Sequence, residues 1–285
     1  MPKRLLIQCL FFFAQNPVLK NFFTGEIYRG KAKSFCTPGL NCYSCPAAVT
    51  ACPIGAAQLF FAGTRQSVSL FVAGFLVVVG AVFGRFICGY LCPMGLFQDL
   101  IYKIKTPKLI LSLRIARYVK YIVLVGFVIV LPLMFRHSLS GLGEPWFCKY
   151  ICPTGTIFAA FPILANNETL RTLTGGLFAL KLSIAIGVIA ASTVIFRFFC
   201  RVICPLGAFY SLFNPIAVMR THCDRSKCTS CRACADSCNI CINPIEQPNS
   251  PECIRCGTCI SKCKVGALRV GIKNPYTNLP QPEQD

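Results

Sequence analysis

Two dense cysteine runs near the end of the chain contain the residues most able to do chemistry. Both have the spacing C-x2-C-x2-C-x3-C; the first comprises Cys228, Cys231, Cys234 and Cys238, and the second Cys253, Cys256, Cys259 and Cys263. Tight local groups of cysteine indicate metal or cluster sites. A structural zinc ribbon pairs two separated C-x2-C knuckles. The spacing, repeated twice, therefore favours iron–sulfur chemistry over zinc.

Each run resembles the cysteine motif of bacterial ferredoxins, in which the fourth cysteine ligates the other [4Fe–4S] cluster. The resemblance implies one cluster on Cys228, Cys231, Cys234 and Cys263, and a second on Cys253, Cys256, Cys259 and Cys238. The proline that follows the fourth cysteine in that motif is replaced here by Asn239 and Lys264. Cys241 is an alternative to Cys238, and Cys223 has no assigned role.

A second cysteine pattern, C-x3-C-P-x-G, occurs at residues 88–95, 148–155 and 200–207, with a degenerate fourth copy around Cys52. A buried cysteine can simply pack as a small hydrophobic residue. Three copies with the same proline and glycine argue against that alternative. Each copy is followed by a short apolar stretch, which predicts an interfacial or re-entrant helix.

Apolar segments between these motifs set the predicted topology. We predict four membrane segments: a short first one that follows a charged start and ends near residue 23, and then 66–84, 118–142 and 173–199. The longer ones approach the length that roughly 30 Å of hydrocarbon requires. The charged start places both termini in the cytoplasm, although basic residues in the short loops show no contrast between the two sides.

This topology sorts the cysteines onto two faces. The second and fourth segments deliver the four thiols of one predicted [4Fe–4S] cluster to the cytoplasmic face: Cys88, Cys92, Cys200 and Cys204. On the opposite face Cys148 and Cys152 match them, and two further ligands are predicted among Cys42, Cys45, Cys52 and, as an additional candidate, Cys36. A disulfide between spare cysteines is one alternative. A self-contained cluster on Cys36, Cys42, Cys45 and Cys52 is another.

Basic side chains lie close to these cysteine pairs. Arg85, Arg197 and Arg201 flank the predicted cytoplasmic site, while Lys120 and Lys181 fall within predicted membrane segments. The simplest interpretation is that they anchor helix ends by extending to the membrane surface. The arginines could instead raise a reduction potential, and a lysine inside a membrane segment indicates function by default.

The composition limits the possible classes. The chain has 285 residues, of which 54% are hydrophobic and 14% charged, so it is too apolar for an ordinary soluble domain. Its 21 cysteines recur in local groups, unlike those of a small secreted disulfide scaffold. The net charge of +19 ignores thiolates, and its basic residues adjoin apolar runs, so we expect no nucleic-acid partner. The sequence has no nucleotide-binding glycine motif and no nucleophile–base pair, so no catalytic residue is predicted.

Together these patterns predict a mainly α membrane protein with about four transmembrane helices and cysteine-rich turns at their ends. The membrane domain is expected over residues 1–220. A small α+β two-cluster ferredoxin domain is expected over 221–272, followed by a polar tail over 273–285. The expected cofactors are about four [4Fe–4S] clusters: two in the ferredoxin domain, one at the cytoplasmic membrane face and one at the opposite face.

The chain resembles the NapH-like family of polyferredoxin membrane proteins, whose relatives include proteins of the NosR and CcoG type. The matching stretches are CGYLCPMG at 88–95, CRVICPLG at 200–207 and the double cysteine run at 228–263. The resemblance implies four membrane helices, two [4Fe–4S] clusters in a cytoplasmic ferredoxin domain, and electron exchange with quinone or a protein partner. The motif at 148–155 and the cysteines at 36–52 are additional to that pattern, so quinol oxidation is not carried over.

The leading hypothesis is an electron-transfer subunit in the inner membrane that connects a cytoplasmic redox partner to an acceptor or donor in or across the membrane. Its expected partners are membrane lipid, redox proteins within a multi-subunit complex and, in one version, quinone. Two alternatives remain. One is a quinone-linked subunit of the quinol dehydrogenase type, and the other is a redox maturation or regulatory factor of the CcoG or NosR type.

Overall fold

The computed structural model describes residues 2–63, 66–111, 113, 115–135 and 142–272. Most of them are helical, as predicted, and two short strands lie near the end of the chain. The predicted tail at 273–285 lies outside the described residues, as does 136–141, near the end of the predicted third membrane segment.

The helices are short apart from a few apolar ones. In chain order they are α1 (Pro2–Gln15), α2 (Asn21–Thr24), α3 (Pro53–Phe61), α4 (Gln66–Phe83), α5 (Phe86–Tyr90), α6 (Pro93–Ile101), α7 (Val119–Ile122), α8 (Leu131–Met134), α9 (Pro153–Gly155), α10 (Phe161–Asn166), α11 (Glu168–Thr172), α12 (Gly176–Val194), α13 (Phe198–Val202), α14 (Pro205–Phe213), α15 (Ala233–Asp236) and α16 (Thr258–Lys262). Strands β1 (Arg220–Cys223) and β2 (Leu268–Gly271) pair antiparallel, with Thr221 opposite Val270. Short 3-10 turns occupy Lys31–Ser34 and Ala116–Tyr118.

Two helical segments among the described residues are long and apolar enough to cross a membrane. They are Ala116–Met134, which includes α7 and α8, and α12. Large apolar side chains on both are exposed, including Ile122 and Ile186. The other two predicted spans are shorter as apolar helices, at Arg4–Gln15 and Leu70–Phe83. Of the four predicted segments, two therefore correspond to helices of full spanning length among the described residues.

Three π-helical stretches interrupt the helical path, at Val123–Val130, Phe147–Ile151 and Thr156–Ala160. A proline follows the end of each stretch by two residues, at Pro132, Pro153 and Pro162. Proline has no N–H to donate to the preceding turn, and its ring clashes with the carbonyl four residues earlier. Pro132 and Pro162 lie within continuous helical paths, whereas Pro153 begins α9 after Cys152, whose backbone is extended.

One hydrophobic core joins most of the helical part of the chain. Its most buried members include Leu40, Phe147, Phe199 and Tyr210, and it also contains six cysteines: Cys52, Cys88, Cys92, Cys152, Cys200 and Cys204. The sequence left a gap of up to roughly 30 Å between cysteine groups on opposite membrane faces. Turns that fold inward would shorten that gap, and cysteines of both groups do lie in this core.

Residues 220–272, which we call the C-terminal part, pack directly against one of the cysteine turns. Ile254 is buried, and its backbone carbonyl lies so close to Gly89 that a Cβ there would come within 2.5 Å of it. The guanidinium of Arg255 donates to the carbonyls of Phe83 at 2.8 Å and Asn214 at 2.7 Å. The loop that carries Cys253 is therefore fixed to the preceding helices by apolar and polar contacts.

A buried ion cluster reinforces this contact. The carboxylate of Glu252 accepts hydrogen bonds from Arg85 at 3.0 Å and from Lys120 at 2.6 Å, and both basic side chains are fully buried. The interpretation of Arg85 and Lys120 as residues that reach the membrane surface is therefore wrong. Their charges are neutralised inside the protein instead, because a buried carboxylate is available from the C-terminal part.

We predict that Glu252→Gln destabilises the contact between the C-terminal part and the helices that carry Arg85 and Lys120. Arg85 and Lys120 would lose their common counter-charge, and breaking a buried ion pair typically costs about 3–5 kcal/mol. Proteolysis of the purified protein in detergent should cut between residues 214 and 272 faster than in the wild type. Glu144→Gln, which breaks an ion pair with Lys149 whose side chains are 41% and 34% exposed, is the matched control and should change little.

Candidate metal centres

Four buried cysteines from two symmetric turns form what we call the central set: Cys88, Cys92, Cys200 and Cys204. The thiol of Cys204 lies within electrostatic range of the other three. Cys88 and Cys200 lie on the short helices α5 and α13, and Cys92 and Cys204 immediately precede α6 and α14. The structure therefore brings together the four residues that the sequence assigned to one cluster.

The C-P-x-G part of each motif has a defined structural reason. The second cysteine is the N-cap of a helix whose first residue is proline, which needs no N–H at that position. At Cys204 the sulfur accepts a hydrogen bond from the N–H of Gly207 at 3.3 Å. A Cβ on Gly207 would lie 2.9 Å from the carbonyl oxygen of Cys200, and one on Gly95 would lie 2.8 Å from that of Cys88. Glycine is required because the first turn of the helix packs against its own cysteine loop.

Two buried arginines cross-link the turns of the central set. Arg85 precedes the first motif and donates from Nη2 to the carbonyl of Cys200 at 3.1 Å. Arg197 precedes the other motif and donates to the carbonyl of Cys88. Arg197 also forms two hydrogen bonds with Asp99, at 2.8 and 2.5 Å. The arginines are thus structural clamps inside the protein rather than surface anchors.

The carboxyl of Asp99 keeps its charge in this buried position. Burial alone would raise its pKa, but the charge and hydrogen bonds of Arg197, with a further contribution from Arg4, lower it to about 2. Arg201, the third arginine singled out in the sequence, is also buried and donates to the carbonyl of Leu111 at 2.8 Å. The prediction that Arg201 extends to the membrane surface is therefore also wrong.

A second group of cysteines, which we call the cavity set, lines a cavity of about 380 Å³: Cys42, Cys52, Cys148 and Cys152. Cys148 lies within electrostatic range of the other three thiols. Lys181 lines the same cavity and donates from Nζ to the carbonyl of Cys148 at 3.3 Å. Lys181 therefore faces the thiols rather than only extending to the membrane surface.

The structure separates the remaining two cysteines of this region from the cavity. Cys36 forms a single backbone bridge with Ala51 and packs at the edge of the main core. Cys45 belongs to a small cluster with Ala47 and Ala48 against which Cys42 packs, but Cys45 does not line the cavity, and its thiol lies 3.8 Å from Asn16 Oδ1. Of the four candidates at 36–52, Cys42 and Cys52 are the two that face Cys148 and Cys152.

Two buried glutamines contact cysteine sulfurs in these sets, and the sequence reasoning missed them. Gln58 donates from Nε2 to Cys148 Sγ at 3.1 Å, and Gln98 donates to Cys200 Sγ at 3.0 Å. The signal was present as C-P-x-G-x2-Q at 52–58 and 92–98, whereas the copies at 152–158 and 204–210 end in Phe158 and Tyr210. Each set therefore combines one glutamine copy with one aromatic copy.

The cysteines of the C-terminal part also fall into two groups. The inner C-terminal set shares one cavity and comprises Cys238, Cys253, Cys256 and Cys259. The outer C-terminal set shares another and comprises Cys228, Cys231, Cys234 and Cys263. In each group a cysteine from one run joins three from the other, as the ferredoxin resemblance implies.

The two unassigned cysteines of this part have different surroundings. Cys223 lies on β1 and lines the cavity of the outer C-terminal set. Cys241 is exposed and lines a separate polar cavity with Arg201, away from the cavity that Cys238 shares with its three neighbours. This placement favours Cys238 over Cys241 as the fourth member of the inner C-terminal set.

A short loop and one tyrosine lie between the central set and the cavity set. The N–H of Leu40 donates to Cys92 Sγ at 3.4 Å, while the Leu40 side chain lines the cavity of the other set. Cys42 follows two residues later, so its Cα lies within about 12 Å of Cys92 Sγ, since a chain spans at most about 3.6 Å per residue. Tyr210 donates to the carbonyl of Pro38 at 2.8 Å, and its phenol lies within electrostatic range of Cys52 and Cys92.

Burial opposes deprotonation of two thiols, one in the central set and one in the cavity set. Burial raises the pKa of the Cys200 thiol to about 12, and the neighbouring thiol of Cys92 adds to the rise. Burial also raises the pKa of Cys42 to about 12, with a contribution from Cys152. Since metal ligation requires deprotonated sulfur, uptake of metal by these sites must release protons.

The residues fit [4Fe–4S] clusters in number and chemistry. Each set supplies four thiols, and the central and cavity sets add N–H donors to sulfur, which are among the features that set cluster potentials. Among the described residues, no three His, Cys, Asp or Glu side chains converge on the position of one metal ion. In the cavity set and the two C-terminal sets the thiols instead surround a shared volume.

We predict that Gly207→Ala disrupts the central set. The added Cβ would approach the Cys200 carbonyl to 2.9 Å, and overpacking of this kind typically costs about 1–3 kcal/mol. The purified protein should contain less iron and acid-labile sulfide per chain than the wild type. Gly187→Ala on α12, where a Cβ would meet no atom within 4 Å, is the control. Full iron content in both variants would contradict the packing role assigned to Gly207.

Comparison with known proteins agrees with this arrangement. Residues 64–112, 120–164 and 178–221 each match the family Fer4_5, described as a 4Fe-4S binding domain. Each matched stretch contains one C-x3-C-P-x-G motif. No solved structure matches the chain.

The similar proteins span most of the chain. "Uncharacterized protein MJ0750" of Methanocaldococcus jannaschii is 31% identical over 205 residues, which is 68% of this chain and 74% of that protein. "Uncharacterized protein MJ0749" of the same organism is 28% identical over 225 residues, 75% of this chain and 76% of that protein. YccM of Escherichia coli K12, whose name refers to electron transport, is 22% identical over 212 residues, 71% of this chain and 55% of that protein. With three 4Fe-4S domain matches and these relatives, the chain belongs to the polyferredoxin-like family of iron–sulfur membrane proteins.

Proposed function

We propose that this iron–sulfur electron-transfer protein relays electrons between a redox partner at its C-terminal part and an acceptor or donor reached through the cavity set. A [4Fe–4S] cluster supplies a one-electron carrier when bound. The observation that carries the proposal is that the inner C-terminal, central and cavity sets follow one another through direct contacts of the chain. The cytoplasmic position of the C-terminal part and a path across the membrane belong to the same proposal.

The first contact links the inner C-terminal set to the central set. Ile254, next to Cys253, packs its carbonyl against Gly89, next to Cys88. Tyr90 Oη lies 3.5 Å from the carbonyl of Cys256. Neighbours of ligands from two different sets therefore touch, which gives a short route between them.

The second contact links the central set to the cavity set through the loop at residues 38–42. The Leu40 N–H bonds to Cys92 Sγ, and two peptide units further along the chain Cys42 lines the other site. Electron tunnelling slows steeply with distance. The limit of about 12 Å between Cys92 Sγ and the Cα of Cys42, which follows from the chain geometry, therefore favours transfer. A gap across the full roughly 30 Å of hydrocarbon would make transfer too slow.

The chain's own residues would hold this path in place. Arg85 and Arg197 bind the carbonyls of the opposing central-set turns, and Glu252 neutralises Arg85 from the C-terminal side. Hydrogen bonds are electrostatically stronger in such buried surroundings than in water, so these contacts favour a fixed geometry. A single cluster would suffice for a purely structural role, whereas a series of cysteine sets in contact favours redox traffic.

Electron flow across a lipid bilayer tests the proposal. The protein is reconstituted in vesicles with dithionite outside and an encapsulated acceptor inside, and anaerobic iron analysis and electron paramagnetic resonance establish the clusters. Cys148→Ser should abolish reduction of the encapsulated acceptor and remove about four irons per chain. The C-terminal signals should still be reduced by dithionite, because those cysteines lie in other sets.

Cys36→Ser is the matched control, since Cys36 lies in the same region but outside the cavity set, and this variant should retain both iron and electron flow. Undiminished flow in Cys148→Ser would refute a path through the cavity set. Reduction of quinone in the bilayer, with no reduction of the encapsulated acceptor, would indicate the quinone-linked alternative instead. Stoichiometric zinc with no paramagnetic signal would overturn the iron–sulfur assignment itself.

A second prediction concerns the loop between the central and cavity sets. In Gly39→Ala the new Cβ would approach the Cys92 Cα to 2.9 Å and the Leu91 carbonyl to 3.1 Å, which should push the Leu40 N–H away from sulfur. Freeze-quench electron paramagnetic resonance after mixing with dithionite should show several-fold slower reduction of the cavity-set cluster. Gly74→Ala, where a Cβ meets no atom within 4 Å, should leave the rate unchanged. Equal rates in all three proteins would exclude this route.

A further inference from the structure

The central set and the cavity set share an internal device, a buried glutamine whose amide contacts a cysteine sulfur. Gln58 on α3 and Gln98 on α6 are both fully buried. In each case Nε2 reaches the first cysteine of the opposing turn, Cys148 at 3.1 Å or Cys200 at 3.0 Å. The same contact is therefore made twice, in two sites that lie in different parts of the chain.

Backbone groups determine which end of each amide faces the sulfur. The Oε1 of Gln58 accepts from the N–H of Phe147 at 2.9 Å, and that of Gln98 accepts from the N–H of Phe199 at 3.1 Å. The Nε2 atoms also donate to carbonyls of their own helices, at Ile54 and Met94, both at 3.2 Å. A backbone N–H can only donate and a carbonyl can only accept, so the nitrogen and its N–H groups lie on the sulfur side.

An N–H donor that faces a ligand sulfur affects the two oxidation states differently. Each added electron makes the ligand set more negative, which strengthens the hydrogen bond to sulfur and stabilises the reduced form. Hydrogen bonds to the sulfurs are among the features that set cluster potentials. The effect is larger in these buried surroundings than in water, because the local dielectric constant is low.

We propose that Gln58 and Gln98 are positioning residues that each raise the reduction potential of one membrane cluster, Gln58 for the cavity set and Gln98 for the central set. This inference rests on the proposed function, since it requires clusters at both sites. The other two motif copies have Phe158 and Tyr210 at the equivalent position, so each site receives one such donor. The potentials of the two sites can then be set independently by one residue each.

Redox titration of Gln58→Leu and Gln98→Leu, followed by electron paramagnetic resonance, tests the proposal. Gln58→Leu should shift only the signal that is missing in Cys148→Ala, and Gln98→Leu only the signal that is missing in Cys200→Ala. The lost donor stabilises the reduced cluster more than the oxidised one, so we expect about a tenfold change in the ratio of reduced to oxidised cluster at a given potential. For a one-electron couple a tenfold change corresponds to about 59 mV, here towards lower potential.

Gln15→Leu is the matched control, because Gln15 is also buried but its amide donates to the Leu91 carbonyl at 3.1 Å. It should shift neither potential. Gln58→Asn and Gln98→Asn keep an amide but withdraw it by one methylene group, so they should give the same downward shift if the leucine variants lose iron.

The outcomes distinguish this inference from the function on which it rests. Unchanged potentials in variants with full iron content would overturn the role of the glutamines and leave the relay intact. Loss of the cluster in both variants of a glutamine would show that it only holds the site together, which also overturns the inference. A wild-type protein without clusters would overturn the proposed function instead.

Discussion

The reciprocal contact between two buried arginines and two cysteine turns holds the centre of this protein together. Arg85 binds the carbonyl of Cys200, and Arg197 binds that of Cys88, so each turn is fixed by a residue that precedes the other. A guanidinium in an apolar core requires a counter-charge, and Asp99 and Glu252 provide one for each. Because Glu252 belongs to the C-terminal part, the same constraint that shapes the central set also positions the cysteine runs beside it.

The cavity set lacks the arginine contacts of the central set. Pro145 stands three residues before Cys148, where the central motifs have arginine, and Lys181 provides one hydrogen bond to the Cys148 carbonyl in place of a guanidinium fork. The four thiols there surround about 380 Å³ of space. The two sites share a glutamine, a proline-led helix and a pair of C-x3-C cysteines, but the arginine contacts occur in the central set alone among the two.

The exposed apolar surface of the helices agrees with this internal organisation. Ala116–Met134 and α12 present large apolar side chains outward, while the charged residues that they carry near the sites, Lys120 and Lys181, face inward. In hydrocarbon, backbone and charged groups must be satisfied within the protein. The ion pair of Lys120 and the carbonyl contact of Lys181 meet that requirement and at the same time border the cysteine sets.

The sequence by itself determined the chemistry and the local form of the motifs. Cysteines crowded into eleven residues can share one site with little help from the rest of the chain, and Cys-Pro-x-Gly defines a helix start wherever it occurs. The pairing of residues 88–95 with 200–207 was also predictable, because both follow helices that run the same way. Similarly, the helical class followed from the long apolar stretches.

Only the tertiary structure decided which thiols share the cavity and how close the sites lie. Cys36, Cys42, Cys45 and Cys52 are nearly equivalent in sequence, and packing of their loop against residues 148–155 selects Cys42 and Cys52. The inward fold of the turns, the burial of Arg85 and Lys120, and the amide contacts of Gln58 and Gln98 also depend on partners about 90 to 170 residues away. Spacing along the chain predicts which cysteines close in sequence can bind one cluster. Contacts between distant segments depend instead on packing and charge neutralisation in the folded core.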